Sequence, residues 1–277
     1  MSPKIAFQGE LGAYSHEACA AARPDHEPLP CATFEDVINA VRAGDAELAM
    51  LPVENTTYGR VADMHRLLPE SGLHIIDEAF VRVRIALMAL PGTKLKDVTT
   101  ARGHLVILPQ CRSFLDANNI RPEAHADNAG AAAEIAARQE QGVAALASTL
   151  AAETCGLDIL ATDIEDQDTN TTRFLVMSRQ PDMARRGDTH MLTSFVFRVR
   201  NIPAALYKAM GGFATNGVNM TKLESYMVDG EFTATQFYAD IAGHPDDRAV
   251  QLAMEELAYF TSELKVLGTY PAAFARD

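Results

Sequence analysis

Short apolar runs alternate with helical patterns along the first 180 residues of the chain. Residues 5–7, 29–32 and 48–51 are of strand length, and a helical pattern covers residues 15–22. Thr33 precedes a second helical pattern that ends at Gly44, and Asp36 occupies the acidic position of a capping box. Strand, helix and strand at this spacing predict a parallel sheet built from βαβ units.

A second α/β set follows residues 73–89, which form an extended stretch long enough to cross between two lobes. We predict a strand near 97–100, a helix ending by Asn118, a helix over 128–139, a strand over 143–147, a helix over 148–155 and a strand over 157–161. A strand at 174–177 returns to the first lobe. The expected catalytic domain, residues 1–180, therefore has two lobes, 1–77 with 163–180 and 78–162. Ligands of open α/β sheets bind at the carboxyl ends of the strands, so we expect a cleft there.

The pattern changes after a polar stretch at residues 178–188. It predicts a strand at 195–199, a helix from Pro203 to about residue 215 and a strand over 217–227. Asp229 and Gly230 suit a hairpin turn before a strand over 232–241, a helix over 245–259 and a strand over 264–269. This βαββαβ order predicts an α+β ferredoxin-like domain over residues 190–277.

Composition narrows the classes of function. The formal net charge is −13, and a nucleic-acid-binding surface needs a basic stripe, so we expect no nucleic-acid partner. The apolar runs are too short for a membrane span, and the N-terminus shows no secretory signal. Four widely spaced cysteines without a CxxC motif predict reduced thiols in a cytoplasmic protein, with neither a disulfide framework nor a metal site.

Several motifs resemble, in order and spacing, those of the prephenate dehydratase family. They are Phe7 to His16, Pro52 to Val61 and Asn170-Thr-Thr-Arg-Phe174, supported by Gln110-Cys111-Arg112 and Ile164-Glu165-Asp166. Residues 201–208, 221–225 and 264–268 resemble that family's C-terminal ACT regulatory domain. The resemblance covers essentially the whole chain.

This resemblance implies a monofunctional prephenate dehydratase whose two lobes are of the periplasmic-binding-protein type II class. The family converts prephenate to phenylpyruvate with loss of water and CO2, and because aromatisation drives the reaction we expect no cofactor and no metal. The implied partners are prephenate, L-phenylalanine as an allosteric ligand, and further copies of the chain in a homodimer or homotetramer. An arogenate dehydratase and a non-catalytic ligand-binding regulatory paralogue stay open as alternatives.

The resemblance also implies residue roles. Thr172 is expected to donate a hydrogen bond to the departing hydroxyl, beside the fixed charge of Arg173, which suits a substrate carboxylate. Asn55 is expected to orient the substrate, and the interpretation requires Asn55 and Arg173 to share one cavity. The further substrate contacts are expected to be Ser15, Glu54, Thr56, Thr57, Gln110 and Phe174.

Some of these expected contacts have alternatives. Ser15, Thr56 and Thr57 are expected at or near helix N-termini, which favour anions. Glu54 is expected to hold Arg173 or a helix start, Phe174 to pack beneath the site, and Gln110 is equally compatible with a helix-surface amide. Phenylalanine is expected near Asn201, Ala205, Leu206, Asn219, Glu224 and Ser225.

The chain departs from the family pattern at several positions. Gly103 stands where a cleft serine is usual, so Thr57, Thr100 or water replaces the hydroxyl, or activity is reduced. Pro109 implies a kink or a later start of its helix. Ala204 replaces a glycine of the ACT motif, and Tyr226 with Met227 replaces Arg-Pro, which weakens the case for phenylalanine binding. Asp127 suits a helix N-cap without further function.

Overall fold

The structure is a computed structural model that describes residues 2–184, 190–200, 202–227 and 234–274. The helices are α1 Tyr14–Ala22, α2 Phe34–Ala43, α3 Met64–Glu70, α4 Arg112–Ala117, α5 Asn128–Arg138, α6 Thr149–Cys155, α7 Ala205–Thr215 and α8 Arg248–Phe260. The strands are β1 Lys4–Gln8, β2 Glu27–Cys31, β3 Leu48–Asn55, β4 Gly59–Arg60, β5 His74–Arg82, β6 Ala86–Ala89, β7 Thr100–His104, β8 Arg121–His125, β9 Val143–Ala147, β10 Asp158–Ala161, β11 Thr171–Ser178, β12 Met191–Val199, β13 Met220–Met227, β14 Ala234–Ala242 and β15 Thr261–Pro271.

The chain forms two compact units, the first made of residues 1–60 with 80–174 and the second of residues 61–79 with 175–277. This division differs from the predicted limits of 1–180 and 190–277. Residues 61–79 group with the C-terminal part because Ile75 of β5 pairs with Gly268 of β15. In addition, Lys265 Nζ donates to Pro69 O at 2.6 Å.

The first unit has the two α/β lobes that the sequence predicts. In the first lobe β1 lies parallel between β2 and β3, and β3 also neighbours β11. The predicted capping box of α2 is confirmed, since Thr33 Oγ1 accepts from Asp36 N and the Asp36 carboxylate accepts from Thr33 N. Gly44 ends this helix at φ 91°, a left-handed conformation that suits glycine.

The second lobe is a five-stranded sheet in the order β10-β6-β9-β7-β8, with apolar clusters on its two sides. Helices α5 and α6 are capped by the side chains of Asp127 and Ser148, so the N-cap expected at Asp127 is confirmed. Pro109 lies in a 3₁₀ turn, Leu108–Cys111, and α4 starts later, at Arg112. The strand expected near 97–100 is wrong in position, because Leu95–Asp97 is a 3₁₀ turn and β7 begins at Thr100.

The second unit has the βαββαβ order expected of a ferredoxin-like fold. Its antiparallel strands follow the spatial order β13-β14-β12-β15, and β5 continues the sheet beside β15. Helices α7 and α8 cover an apolar cluster that includes Phe195, Phe213 and Leu257. The expected turn at Asp229 and Gly230 lies outside the described residues. Within the described ranges, no helix is long and apolar enough to cross a membrane.

Candidate active site

The side chain of Asn55, at the end of β3, is fully engaged by protein groups. Its Oδ1 accepts from Thr57 N at 2.9 Å and Tyr58 N at 3.0 Å. Its Nδ2 donates to Asn170 Oδ1 at 2.6 Å and to Thr172 Oγ1 at 2.9 Å. Since an amide oxygen accepts two hydrogen bonds and an amide nitrogen donates two, all four positions are filled. Asn55 therefore orients Thr172 and has no hydrogen-bonding position left for the substrate that we expected it to orient.

Thr172 is a predicted catalytic residue whose hydroxyl proton is free to be donated to a ligand. Its Oγ1 accepts the bond from Asn55, and it is only partly buried. A threonine hydroxyl carries one proton, and with its oxygen occupied by a donor that proton is directed away from Asn55. Thr172 is thus arranged as a hydrogen-bond donor.

A second amide links this pair to the other lobe. Asn170 Nδ2 donates to Gln110 Oε1 at 2.6 Å, and Gln110 Nε2 donates to Val106 O at 2.8 Å and to Tyr58 Oη at 3.3 Å. Tyr58 Oη in turn donates to Val106 O at 2.6 Å. Gln110 belongs to this network between lobes, and its direct contact with the substrate stays a prediction. Neither Asn170 nor Tyr58 was among the predicted site residues, although Asn170 opens the motif that contains Thr172.

The expected cluster of Arg173, Thr172 and Asn55 forms only in part, since Asn55 contacts Thr172 while Arg173 pairs with Glu54. That Arg173 and Asn55 share one cavity stays a prediction. Arg173 Nη1 donates to Glu54 Oε1 at 2.8 Å, and Arg173 is only 2% exposed. Successive side chains of a strand point to opposite faces, which places Glu54 and Arg173 on one face and Asn55 and Thr172 on the other. Glu54 therefore holds Arg173, which is one of its two expected roles.

Two other expected contacts are also corrected. Thr56 and Thr57 lie in the turn between β3 and β4, where Asn55 pairs with Gly59, and the next helix begins only at Met64. They are therefore not at a helix N-terminus. The Thr56 hydroxyl donates to Thr169 O at 2.7 Å and accepts from Thr171 N, so it ties two chain segments together. Phe174 is 1% exposed and packs in the core, which agrees with the alternative that it packs beneath the site and does not contact the substrate.

Ser15 lies in a cavity of about 150 Å³ between the lobes. The cavity is lined by Gln8, Gly9, Gly12, Ala13, Tyr14, Ser15, Asp127, Asn128 and Ser148. Ser15 is the second residue of α1, whose N-cap residue Ala13 has no side chain able to cap the helix. The expected position of Ser15 near a helix N-terminus is therefore confirmed. Backbone N–H groups at such a helix start favour anions, and binding of the substrate there stays a prediction.

Gly103 borders the same region. A Cβ added there would lie 3.2 Å from Leu146 Cβ and 3.4 Å from Asn128 Oδ1, and Asn128 Oδ1 accepts from His104 N at 2.8 Å. Of the threonines expected to compensate, Thr100 is buried in β7 and Thr57 is exposed in its turn. The polar group beside Gly103 is therefore the amide of Asn128.

Glu17 and Ser148 join the lobes beside this cavity. Ser148 Oγ donates to Gly12 O at 2.5 Å and accepts from Ala151 N at 3.1 Å. Burial raises the pKa of Glu17 to about 7. The side chain of Ser148 acts in the opposite direction and lowers this pKa.

The residues expected to bind phenylalanine lie in the second unit. Ala205 and Leu206 begin α7, Asn219 precedes β13, and Glu224 and Ser225 lie within β13. Asn201 lies outside the described residues. The Glu224 carboxylate is held by His65 Nε2 at 2.9 Å and Lys222 Nζ at 3.2 Å. These contacts, with that of His65 first, lower the pKa of Glu224 to about 2.

Small-molecule sites lie preferentially in clefts between domains or lobes. The two-lobed α/β domain, with its polar cavity between the lobes, therefore belongs to the class of proteins that bind a small molecule in such a cleft. Comparison with known proteins gives the family. The family model described as "Prephenate dehydratase" matches residues 5–182. A bifunctional N-acyl-homoserine lactone acylase/prephenate dehydratase of Komagataeibacter europaeus is 47% identical over 269 residues, covering 97% of this chain and 96% of that protein.

Two further relatives extend the comparison. Arogenate dehydratase/prephenate dehydratase 1 of Arabidopsis thaliana is 35% identical, over 99% of this chain and 73% of that protein. The structure of prephenate dehydratase in complex with L-Phe from Arthrobacter aurescens has a TM-score of 0.86 at 28% identity, over 98% of this chain and 93% of that one. The chain belongs to the prephenate dehydratase family.

Proposed function

We propose that the chain converts prephenate to phenylpyruvate, CO2 and water, using no cofactor. The observation that carries the proposal is the hydrogen bond from Asn55 Nδ2 to Thr172 Oγ1, which leaves the hydroxyl of Thr172 as a donor. A donor held in this way stabilises negative charge as it develops on a departing oxygen.

The reaction balances without a cofactor. The bond between the ring and its carboxylate breaks, CO2 leaves, and the electron pair enters the ring as the 4-hydroxyl departs with its bonding electrons. Prephenate, with charge −2, thereby yields phenylpyruvate, CO2 and hydroxide, and a solvent proton converts the hydroxide to water. Thr172 donates its hydrogen bond to the departing oxygen, and assistance of this kind is typically worth ~10²–10⁴ in rate.

The substrate's negative charge needs local compensation in this acidic chain, and Arg173 is buried and already paired with Glu54. The start of α1 at Ser15 offers uncapped backbone N–H groups to the cavity, and Asn128 and Gln8 add neutral polar groups. We propose that a substrate carboxylate binds at Ser15. The pair of Arg173 and Glu54 supports the strand that carries Thr172 from its other face.

Thr172→Ala tests the proposal. We expect at least a tenfold lower kcat with little change in Tm, because the hydroxyl is lost while the strand keeps its backbone contacts. Phenylpyruvate formation is measured by absorbance. Thr171→Ala is the matched control, because the neighbouring threonine points to the other face of β11. Unchanged turnover in Thr172→Ala would end the role of Thr172.

The same assay separates the alternatives. Arogenate is compared with prephenate by kcat/KM, because relatives at 35% identity carry both names. Hydrolysis of an N-acyl-homoserine lactone is measured too, because the relative at 47% identity is also named as its acylase. A purified chain that binds prephenate but forms no phenylpyruvate above the spontaneous rate would be a non-catalytic binding paralogue, and the proposed activity would be wrong.

We further propose that residues 190–277 form an ACT domain that binds phenylalanine and pairs with a second copy in a homodimer or homotetramer. The ferredoxin-like strand order and the relative of known structure in complex with L-Phe support this proposal. The periplasmic-binding-protein type II class of the two lobes is a further proposal, supported by their two α/β sheets. Millimolar phenylalanine is expected to raise Tm by linkage, and sedimentation gives the assembly state.

A further inference from the structure

We infer that Asn170 is a positioning residue, which transmits the orientation of Gln110 in the second lobe to the hydroxyl of Thr172 through Asn55. The inference rests on the proposed function and names a residue that acts on Thr172 without contacting the substrate. Asn170 is 3% exposed and immediately precedes β11.

The direction of this chain of amides is set at both of its ends. At the second lobe, Gln110 Nε2 donates to the backbone carbonyl of Val106, which can only accept, so Gln110 presents Oε1 to Asn170. At the first lobe, the backbone N–H groups of Thr57 and Tyr58 can only donate, so Asn55 turns Oδ1 to them and Nδ2 to Asn170.

Asn170 lies between Gln110 and Asn55 and hydrogen-bonds both side chains. It must donate to Gln110 and accept from Asn55, and an asparagine amide does both at 2.6 Å. Loss of this amide leaves Asn55 Nδ2 without one of its two acceptors, so the amide is freer to swing away from Thr172. Thr172 then loses the donor that directs its proton, although the hydroxyl itself is intact.

Asn170→Ala tests the inference. We expect kcat for phenylpyruvate formation to fall at least tenfold and KM to change less than threefold. The effect should depend on Thr172. In a Thr172→Ala background, adding Asn170→Ala should lower kcat by less than twofold, because the hydroxyl to be oriented is already gone. Thr193→Val is the control, because it removes another buried hydroxyl that makes a hydrogen bond. It should lower Tm, and its effect on kcat should be the same with and without Thr172.

Asn170→Asp gives a second test that keeps the shape of the side chain, should the alanine variant fold poorly. A carboxylate still accepts from Asn55 but opposes Gln110 Oε1, whereas a protonated carboxyl donates to Gln110 as asparagine does. We therefore expect kcat of Asn170→Asp, relative to the parent chain, to recover as the pH is lowered.

The outcomes separate the inference from the proposed function. If the parent chain forms no phenylpyruvate, the proposed function is wrong and the inference falls with it. If the parent chain is active and Asn170→Ala stays within twofold of its kcat, the inference alone is overturned. Equal losses in the presence and absence of Thr172 would likewise overturn it, because they would reveal a structural role.

Discussion

At the scale of single residues, Glu17 couples protonation to the packing of the two lobes of the first unit. The contact is close, since a Cβ added at Gly12 would lie 2.5 Å from Ala151 Cα. Glu17 is partly buried beside it, and burial is the main cause of its pKa of about 7. The folded chain therefore holds a proton on Glu17 that the unfolded chain has released above its ordinary pKa of 4.5. Stability falls as the pH rises from about 4.5 to about 7 and is level above that.

Glu17→Gln should remove this pH dependence. The amide resembles the neutral carboxyl, so above pH 7 the variant should be more stable than the parent chain by about 1 kcal/mol, after allowance for the partial exposure of the group. Below pH 4.5 the two should be equal. Chemical denaturation at several pH values measures the difference, with Glu153→Gln on α6 as the control. A variant that is less stable at pH 8 would contradict the sign.

Ala204 shows the cost of a departure from the family pattern at one backbone position. It precedes α7 with φ 60°, in the left-handed region that a glycine adopts without a steric penalty. Ala204→Gly should therefore stabilise the chain by about 0.5–1 kcal/mol, the relief of strain less the greater entropy of the unfolded glycine. Thermal denaturation measures it, with Ala214→Gly within α7 as a control that should be destabilised. An unchanged or lowered Tm in Ala204→Gly would be inconsistent with strain.

At the residue scale, the order of the motifs was enough to bring Asn55 and Thr172 together, whereas strand geometry decided where Arg173 lies. Thr172 was predicted from its motif, and the structure leaves its hydroxyl as a donor. Arg173 follows it directly, and two consecutive strand residues cannot face the same side. Strand alternation, with Glu54 and Asn55 as the adjacent pair, was the available signal. Asn170 was missed because its role depends on Gln110, 60 residues away and in the other lobe.

At the scale of elements, the regular alternation of apolar runs predicted most strands and helices of both units. The strand β8, Arg121–His125, was missed because its sequence lacks apolar alternation. Parallel pairing with β7 along its whole length holds it in place, which is a tertiary effect. Residues 61–77 were predicted to belong to the first lobe and residues 78–79 to the second, whereas all of them group with the C-terminal unit. Their partners in β13 and β15 lie more than 150 residues later, and no local pattern shows such contacts.

The contact between α3 and β13 also gives a prediction about ligand binding. Glu224, expected to lie near bound phenylalanine, is already paired with His65 Nε2, whose ring packs 4.9 Å from that of Tyr226. His65→Ala should therefore release the carboxylate and lower the phenylalanine concentration needed for half of the Tm shift by about tenfold, worth about 1.4 kcal/mol. His74→Ala on β5 is the matched control. Weaker binding in His65→Ala would mean that His65 itself contributes to the ligand site.

At the scale of the whole molecule, the net charge of −13 opposes a substrate of charge −2. Local groups such as the start of α1 act over one helical turn, whereas the net charge acts over the Debye length. That length falls from about 30 Å at 0.01 M salt to about 8 Å at 0.15 M. Added salt should therefore screen the long-range repulsion more than it weakens the binding contacts.

We accordingly expect kcat/KM for prephenate to rise about two- to threefold between 0.01 and 0.15 M NaCl. The kcat at saturating substrate should stay constant, because the hydrogen bond from Thr172 acts after the substrate has bound. Steady-state kinetics at constant pH measure kcat/KM and kcat. A sucrose solution without added salt, matched in viscosity to the salt solution, serves as the control. A fall in kcat/KM with salt would show that the field at the cleft is attractive despite the net charge. A basic group facing Thr172, in the role expected of Arg173, would then have to be sought.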